Sequence, residues 1–146
     1  MKKLFFTALI AVSVSISAFA QDVNQIDRKV VNNFEASYGG ASNVEWISKE
    51  NFTVASFIQN EHKVEVFYTA DGDFVATTSY VGMEELPSFA KKSVIKKYAD
   101  YTVTEAFKFK ADGETSYFIS VENEKENVVL KVKDGSVAVY SKRSKM

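Results

Sequence analysis

The residue types that most often carry chemistry are sparse in this 146-residue chain, which has one histidine and no cysteine. A two-histidine zinc site needs a second imidazole, and thiol nucleophiles need a cysteine. His62 stands in Asn60-Glu61-His62-Lys63, a polar turn between two alternating segments, where a solvated side chain is the ordinary outcome. Asp71-Gly72-Asp73 supplies two carboxylates but lacks the other ligand positions of a calcium loop, so a turn is the simpler reading. Glu84-Glu85 precede a helical segment, where acids complement the helix dipole. Lys91, Lys92, Lys96 and Lys97 charge one helix, a pattern that a solvated surface explains. No glycine-rich phosphate loop is present. These residues give no catalytic group, no metal ligand and no cofactor, and the expected class is not an enzyme.

The N-terminus speaks to compartment. Lys2 and Lys3 precede an apolar run from Leu4 to Ile16, and Ala18-Phe19-Ala20 has the small-residue pattern of a cleavage site. Residues 1–20 therefore read as a signal peptide, with Gln21 as the new N-terminus. The run is short for a membrane span, so no stable membrane insertion is expected after cleavage. The protein would be periplasmic or secreted, with no cysteine for a lipid anchor. Losing Lys2 and Lys3 moves the net charge from −1 to −3, which gives no reason to expect a nucleic-acid partner. Without disulfides, packing must hold the fold. Residues 21–146 are enough for one domain with a real core.

The elements that must position any site are written twice. Ile26, Val30, Phe34 and Tyr38 recur every four residues, the stripe of a helix over 23–38, with Asp22 or Asn24 to cap it and Gly39-Gly40 to stop it. Leu86, Ala90, Val94 and Tyr98 repeat that stripe, with Pro87 suited to a first turn. Alternating segments follow each helix: 43–48, 52–58 and 64–69 in the first half, 105–110, 116–122 and 127–132 in the second. Each set is followed by an Asp-Gly turn, at 71–72 and at 134–135, and a last strand. The expected fold is α+β: a tandem repeat of one helix plus four antiparallel strands, the repeats spanning about 22–82 and 83–146. Both helices would pack on one face of a curved antiparallel sheet.

Matching the halves segment by segment, with the 71–72 and 134–135 Asp-Gly turns in register, gives positions that are apolar in both. These are Val44 with Phe107, Trp46 with Phe109, Ala55 with Ile119, Phe57 with Val121, Phe67 with Leu130, Phe74 with Val137 and Ala76 with Val139. They are expected under the helices. The alternate positions then form an open face of Val54, Val66, Tyr68 and Val75, with Phe118, Val129, Ala138 and Tyr140, and with Lys108, Lys110 and Lys131 among them. A sheet covered on one side usually shows a polar outer face. An apolar, aromatic face with lysines is what partner-binding surfaces favour. The plainer explanations are that such residues favour strands in any setting, or that two copies pack sheet to sheet.

Tyr38 at the helix end, Val44-x-Trp46, Ala55-x-Phe57, Val66-Phe67-Tyr68 before Asp71-Gly72, and Leu86-Pro87 opening the second helix resemble the PepSY-like domain. That family consists of exported proteins best known from Bacteroidetes and related in fold to the beta-lactamase inhibitor protein. The resemblance covers almost all of residues 21–146 and implies helices on one face of a curved sheet whose other face is open. In the inhibitor that open face grips an enzyme. This chain lacks the inhibitor's disulfides, so lactamase inhibition does not carry over.

The expected function is capture of a protein or peptide on the open face, as an inhibitor or envelope regulator, through Tyr68, Phe118, Tyr140, Val54, Val66, Val129, Lys108 and Lys131. The alternatives are a small-ligand or ion-binding periplasmic carrier and a structural homodimer. If the leader is cleaved as read, intact mass spectrometry of exported protein will show a chain starting at Gln21. A membrane-bound chain of full length would contradict the reading.

Overall fold

The computed structural model of the chain describes residues 22–146. The expected signal peptide and its expected cleavage point at Gln21 lie outside these residues. Two aspartates cap the first described turns in succession. The Asp22 carboxylate accepts the Asn24 N–H at 2.9 Å and holds a 3-10 turn over Val23–Gln25. Asp27 accepts the Lys29 N–H at 2.8 Å and starts α1, Arg28–Tyr38. The helix expected from residue 23 is thus divided, because an Asp that bonds forward to backbone N–H favours a cap over a helix interior. Four strands follow: β1 Glu45–Ser48, β2 Phe52–Gln59, β3 His62–Thr69 and β4 Phe74–Tyr80. A 3-10 turn at Met83–Glu85 leads to α2, Ser88–Lys97, with Pro87 just before its first turn. β5 Thr102–Ala111, β6 Glu114–Glu122, β7 Glu126–Lys133 and β8 Ser136–Ser144 complete the chain. All eight strands pair antiparallel with their sequence neighbours in one sheet, in order β1 to β8. No helix among the described residues is long and apolar enough to cross a membrane.

The turns are not equivalent. Asn60-Glu61, Asp112-Gly113 and Asp134-Gly135 have positive φ at both residues, as two-residue hairpin turns require. At Asp71-Gly72 only Gly72 is left-handed, with φ 87°. Its N–H donates to the Thr69 carbonyl at 3.0 Å, and the Thr69 N–H donates to the Asp73 carbonyl at 2.8 Å. This is a longer loop, with glycine at the position that must turn left.

That one difference decides which face each side chain takes. Matching the Asp-Gly pairs offsets the halves by 63 residues (71 to 134). The strand pairing sets 64 for β3 and β7, since Ala55 opposes Val66 as Ile119 opposes Leu130. A one-residue slip moves every side chain of a strand to the other face. Val66 and Tyr68, expected on the open face, therefore point at α1, and Tyr68 is 2% exposed. They join Ile26, Val30, Val31, Phe34, Trp46, Ala55, Phe57 and Val64 in one cluster, with Val44 against it. Phe67 and Ala76, expected under the helix, lie on the opposite face.

In the second half Ile119, Val121, Leu130 and Val137 pack with Leu86, Ala90 and Val94, on the α2 side as expected. Phe107 and Phe109 do not, because β5 places Ala106 opposite Ile119 and Phe107 opposite Phe118. The counterpart of Trp46 is Ala106 rather than Phe109. The same register puts Lys108 on the helix face, between Ser79 and Tyr117, and Lys110 beside Thr77. Phe74 and Val139 oppose Tyr68 and Leu130 on the helix face but remain 54% and 55% exposed at its rim.

Trp46 is 4% exposed and meets Phe34 edge-on, with ring centroids 5.1 Å apart. Truncating a large buried aromatic costs about 3–5 kcal/mol, so chemical denaturation of Trp46→Ala should show a loss of that order. The native tryptophan should emit blue-shifted. Emission typical of a water-exposed indole would place it on the wrong face.

Candidate partner-binding face

Cross-strand pairing builds the helix-free face in three rows. Ile47, Val54, Phe67 and Ala76 make the first. Ser56, Glu65, Thr78, Phe109 and Ser116 make the second. Tyr80, Phe107, Phe118, Lys131 and Ala138 make the third. The apolar clusters here, Val54 with Phe67 and Ala76 with Phe107, Phe109 and Phe118, contain no residue of α1 or α2. Val75 packs against both, so the two form a continuous apolar stripe. Yet Phe67, Phe118 and Glu65 are each 0% exposed. No helix among the described residues packs on them, and neighbouring side chains of the sheet pack around them.

Three bulges add local twist to the sheet. The register shifts at Val75, Thr104 and Tyr140, each an extra residue without an opposite partner. The bulge at Tyr140 turns its ring onto Phe118, edge-on at 5.2 Å. Phe118 also stacks on Phe107 at 5.2 Å and meets Phe109 edge-on at 6.1 Å. Two ammonium groups lie over rings of the third row: Lys131 Nζ is 5.8 Å from the Phe118 centroid, and Lys63 Nζ is 5.8 Å from that of Tyr80.

Of the residues expected to bind a partner, Val54, Phe118, Val129, Lys131 and Tyr140 share this face. Val66, Tyr68 and Lys108 do not. Val54 and Phe118 are fully buried and form its floor, while Val129, Lys131 and Tyr140 are partly exposed. Sequence reasoning missed Lys63, Glu65, Phe67, Tyr80, Phe107 and Phe109. The pattern Lys63, Glu65, Phe67 would have marked the face had the halves been offset by 64.

Glu65 is the polar anomaly. Among the described residues, neither carboxylate oxygen has a hydrogen-bond donor, and the Thr78 hydroxyl directly across the strand pair also lacks a partner. Lys63 Nζ comes within 3.3 Å of Oε1 as an ion pair, without hydrogen-bond alignment. Burial pushes the Glu65 carboxyl above the usual range, Lys63 opposes the shift, and Glu105 adds to it. Burial also pushes the Tyr68 hydroxyl up to about 12, with Tyr38 adding to the rise.

His62, Glu85 and Asp73 have structural partners. His62 Nε2 lies 3.1 Å from Glu85 Oε1, and Glu85 also accepts the Gly82 N–H at 2.9 Å, so the pair ties β3 to the turn before α2. Asp73 pairs with Lys29 at 3.3 Å. No group of three or more His, Cys, Asp or Glu among the described residues is placed to hold a metal ion.

The chain matches no protein-family model and no curated protein sequence. It does match solved structures. A DUF2874 family protein from Bacteroides ovatus superposes with a TM-score of 0.72 at 18% identity, over 82% of this chain and 88% of that one. A BLIP-like protein from Bacteroides fragilis gives 0.69 at 18% identity, over 82% and 86%. A candidate periplasmic protein from Bacteroides eggerthii gives 0.72 at 16% identity, over 82% and 88%. At such identities the likeness establishes the fold, a BLIP-like arrangement of two helices on one eight-stranded antiparallel sheet.

The sign of the Glu65 shift yields a test. A carboxyl with a raised folded pKa holds its proton longer in the native state. Its contribution is therefore full below the ordinary Glu range and is lost as pH rises through the folded value. Denaturation curves should show the wild type gaining stability relative to Glu65→Gln as pH falls from 7 toward that range. A difference that is constant with pH would mean Glu65 is not desolvated.

Proposed function

We propose that this chain is an exported, non-enzymatic binding protein that captures a protein or peptide on the helix-free face of its sheet. The observation that carries the reading is the continuous aromatic and apolar stripe, flanked by lysines, on the face that neither helix covers. Tyr140, Lys131 and Val129 are the accessible contacts, and Val54 and Phe118 shape the floor beneath them. The solved BLIP-like structure with the same fold supports an inhibitor-like use of that face. The N-terminal leader and the periplasmic description of a structural neighbour support an envelope location. The order of helix and four strands in each half supports a single domain of two tandem repeats, about 22–82 and 83–146, of the PepSY-like type.

The test is affinity capture from envelope extract with the wild type and Tyr140→Ala. Truncating a partly exposed ring that meets Phe118 edge-on should cost the free protein about 1 kcal/mol. At a partner's hot spot the same truncation costs about 2 kcal/mol or more of binding. The expected result is weakened capture with a small change in melting temperature. A concentration-dependent loss of stability would instead identify a homodimer interface. A small molecule retained in native mass spectrometry would identify a carrier.

A further inference from the structure

We propose that the Glu65 carboxylate and the Tyr80 ring form a receiving site for a basic side chain of the captured partner, a lysine or arginine, and that the chain's own Lys63 fills it in the free protein. This rests on the capture reading and adds the chemistry of the partner to it. A buried carboxylate without donors is costly, and an orphaned polar group in a native structure calls for an explanation. Here, among the described residues, both Glu65 oxygens and the facing Thr78 hydroxyl lack a hydrogen-bond partner, with Lys63 meeting the carboxylate only as an ion pair, on the face already read as the interface.

The structure shows what the spot accepts. Lys63 Nζ sits 3.3 Å from Glu65 Oε1 and 5.8 Å from the Tyr80 centroid, an ammonium bracketed by a carboxylate and a ring face. The Lys63 side chain is 40% exposed and makes no aligned hydrogen bond to the carboxylate. It can swing outward on its flexible stem while an incoming cation takes its place, so the buried charge is never left alone. A guanidinium suits the site better than the resident ammonium. Its planar fork supplies donors to both carboxylate oxygens, and its face can stack on Tyr80.

The experiment is an NMR titration of the protein with acetyl-Gly-Arg-Gly-amide, compared with the same peptide carrying neutral citrulline. The arginine peptide should give saturable shifts at the Thr78 amide and the Tyr80 ring, and the citrulline peptide should not. Lys63→Met should bind the arginine peptide several-fold more tightly, because the competitor is gone. Glu65→Gln should no longer distinguish the two peptides. Equal shifts from both peptides, or unchanged affinity in Lys63→Met, would overturn the site. If Glu65→Gln does not fold, the Lys63→Met comparison decides alone, since that side chain reaches solvent. A partner captured through Tyr140 by a protein blind to arginine would remove this site and leave the capture reading standing. An arginine response from a protein that captures nothing would do the reverse.

Discussion

Strands β2 and β3 are buried on both faces, and that constraint shapes the rest of the molecule. Every residue from Thr53 to Phe57 and from Val64 to Tyr68 is buried. In β3, Val64, Val66 and Tyr68 fill the space beneath α1, while Glu65 and Phe67 must be accommodated on a side with no helix. Removing both faces of a strand from water calls for near-continuous apolar sequence. Thr53, Ser56 and Glu65 are the exceptions; Glu65 is the charged one, and its proximity to Lys63 is the local response to a desolvated charge.

The two faces also divide the work of holding the halves together. On the helix side, the α1 cluster draws on β1 to β3 and the α2 cluster on β5 to β8. Between them, where β4 meets β5, the pairs are Thr77 with Lys110 and Ser79 with Lys108, a polar seam. On the other side the apolar stripe runs through that junction, with Ala76 of β4 in the same cluster as Phe107 and Phe109 of β5. The halves are therefore joined by apolar packing mainly on the helix-free face. A partner captured on that face, as proposed, would contact both at once.

The element order was legible from the sequence because its signals are local. Four-residue spacing marked both helices, and alternation bounded by turn residues marked the strands. Facing was not legible, because it depends on register. Double-sided burial removes the contrast between alternate positions that normally reveals a wet face. The two Asp-Gly turns then offered a false anchor, since one has two left-handed residues and the other has one. The resulting slip misplaced Val66, Tyr68, Phe67, Phe107 and Phe109. It spared Val54 and Phe118, which were matched at the true offset of 64, and Val129, because the misplaced member of its pair was Val66 of β3; Tyr140 kept its face through the bulge. Glu65 carried no sequence signal, because an acid in an alternating strand ordinarily reads as solvent-facing.

Adjacent residues of β8 allow the central claim to be tested at one place in the chain. Val139 opposes Leu130 on the helix face, and the bulge turns Tyr140 onto Phe118 on the other. Both side chains reach solvent. A benzophenone amino acid placed at either position and irradiated in intact envelope reports which face meets a partner. The account predicts a discrete cross-linked adduct from position 140 and none from position 139. An adduct from 139 alone would move the interface to the helix side and contradict it.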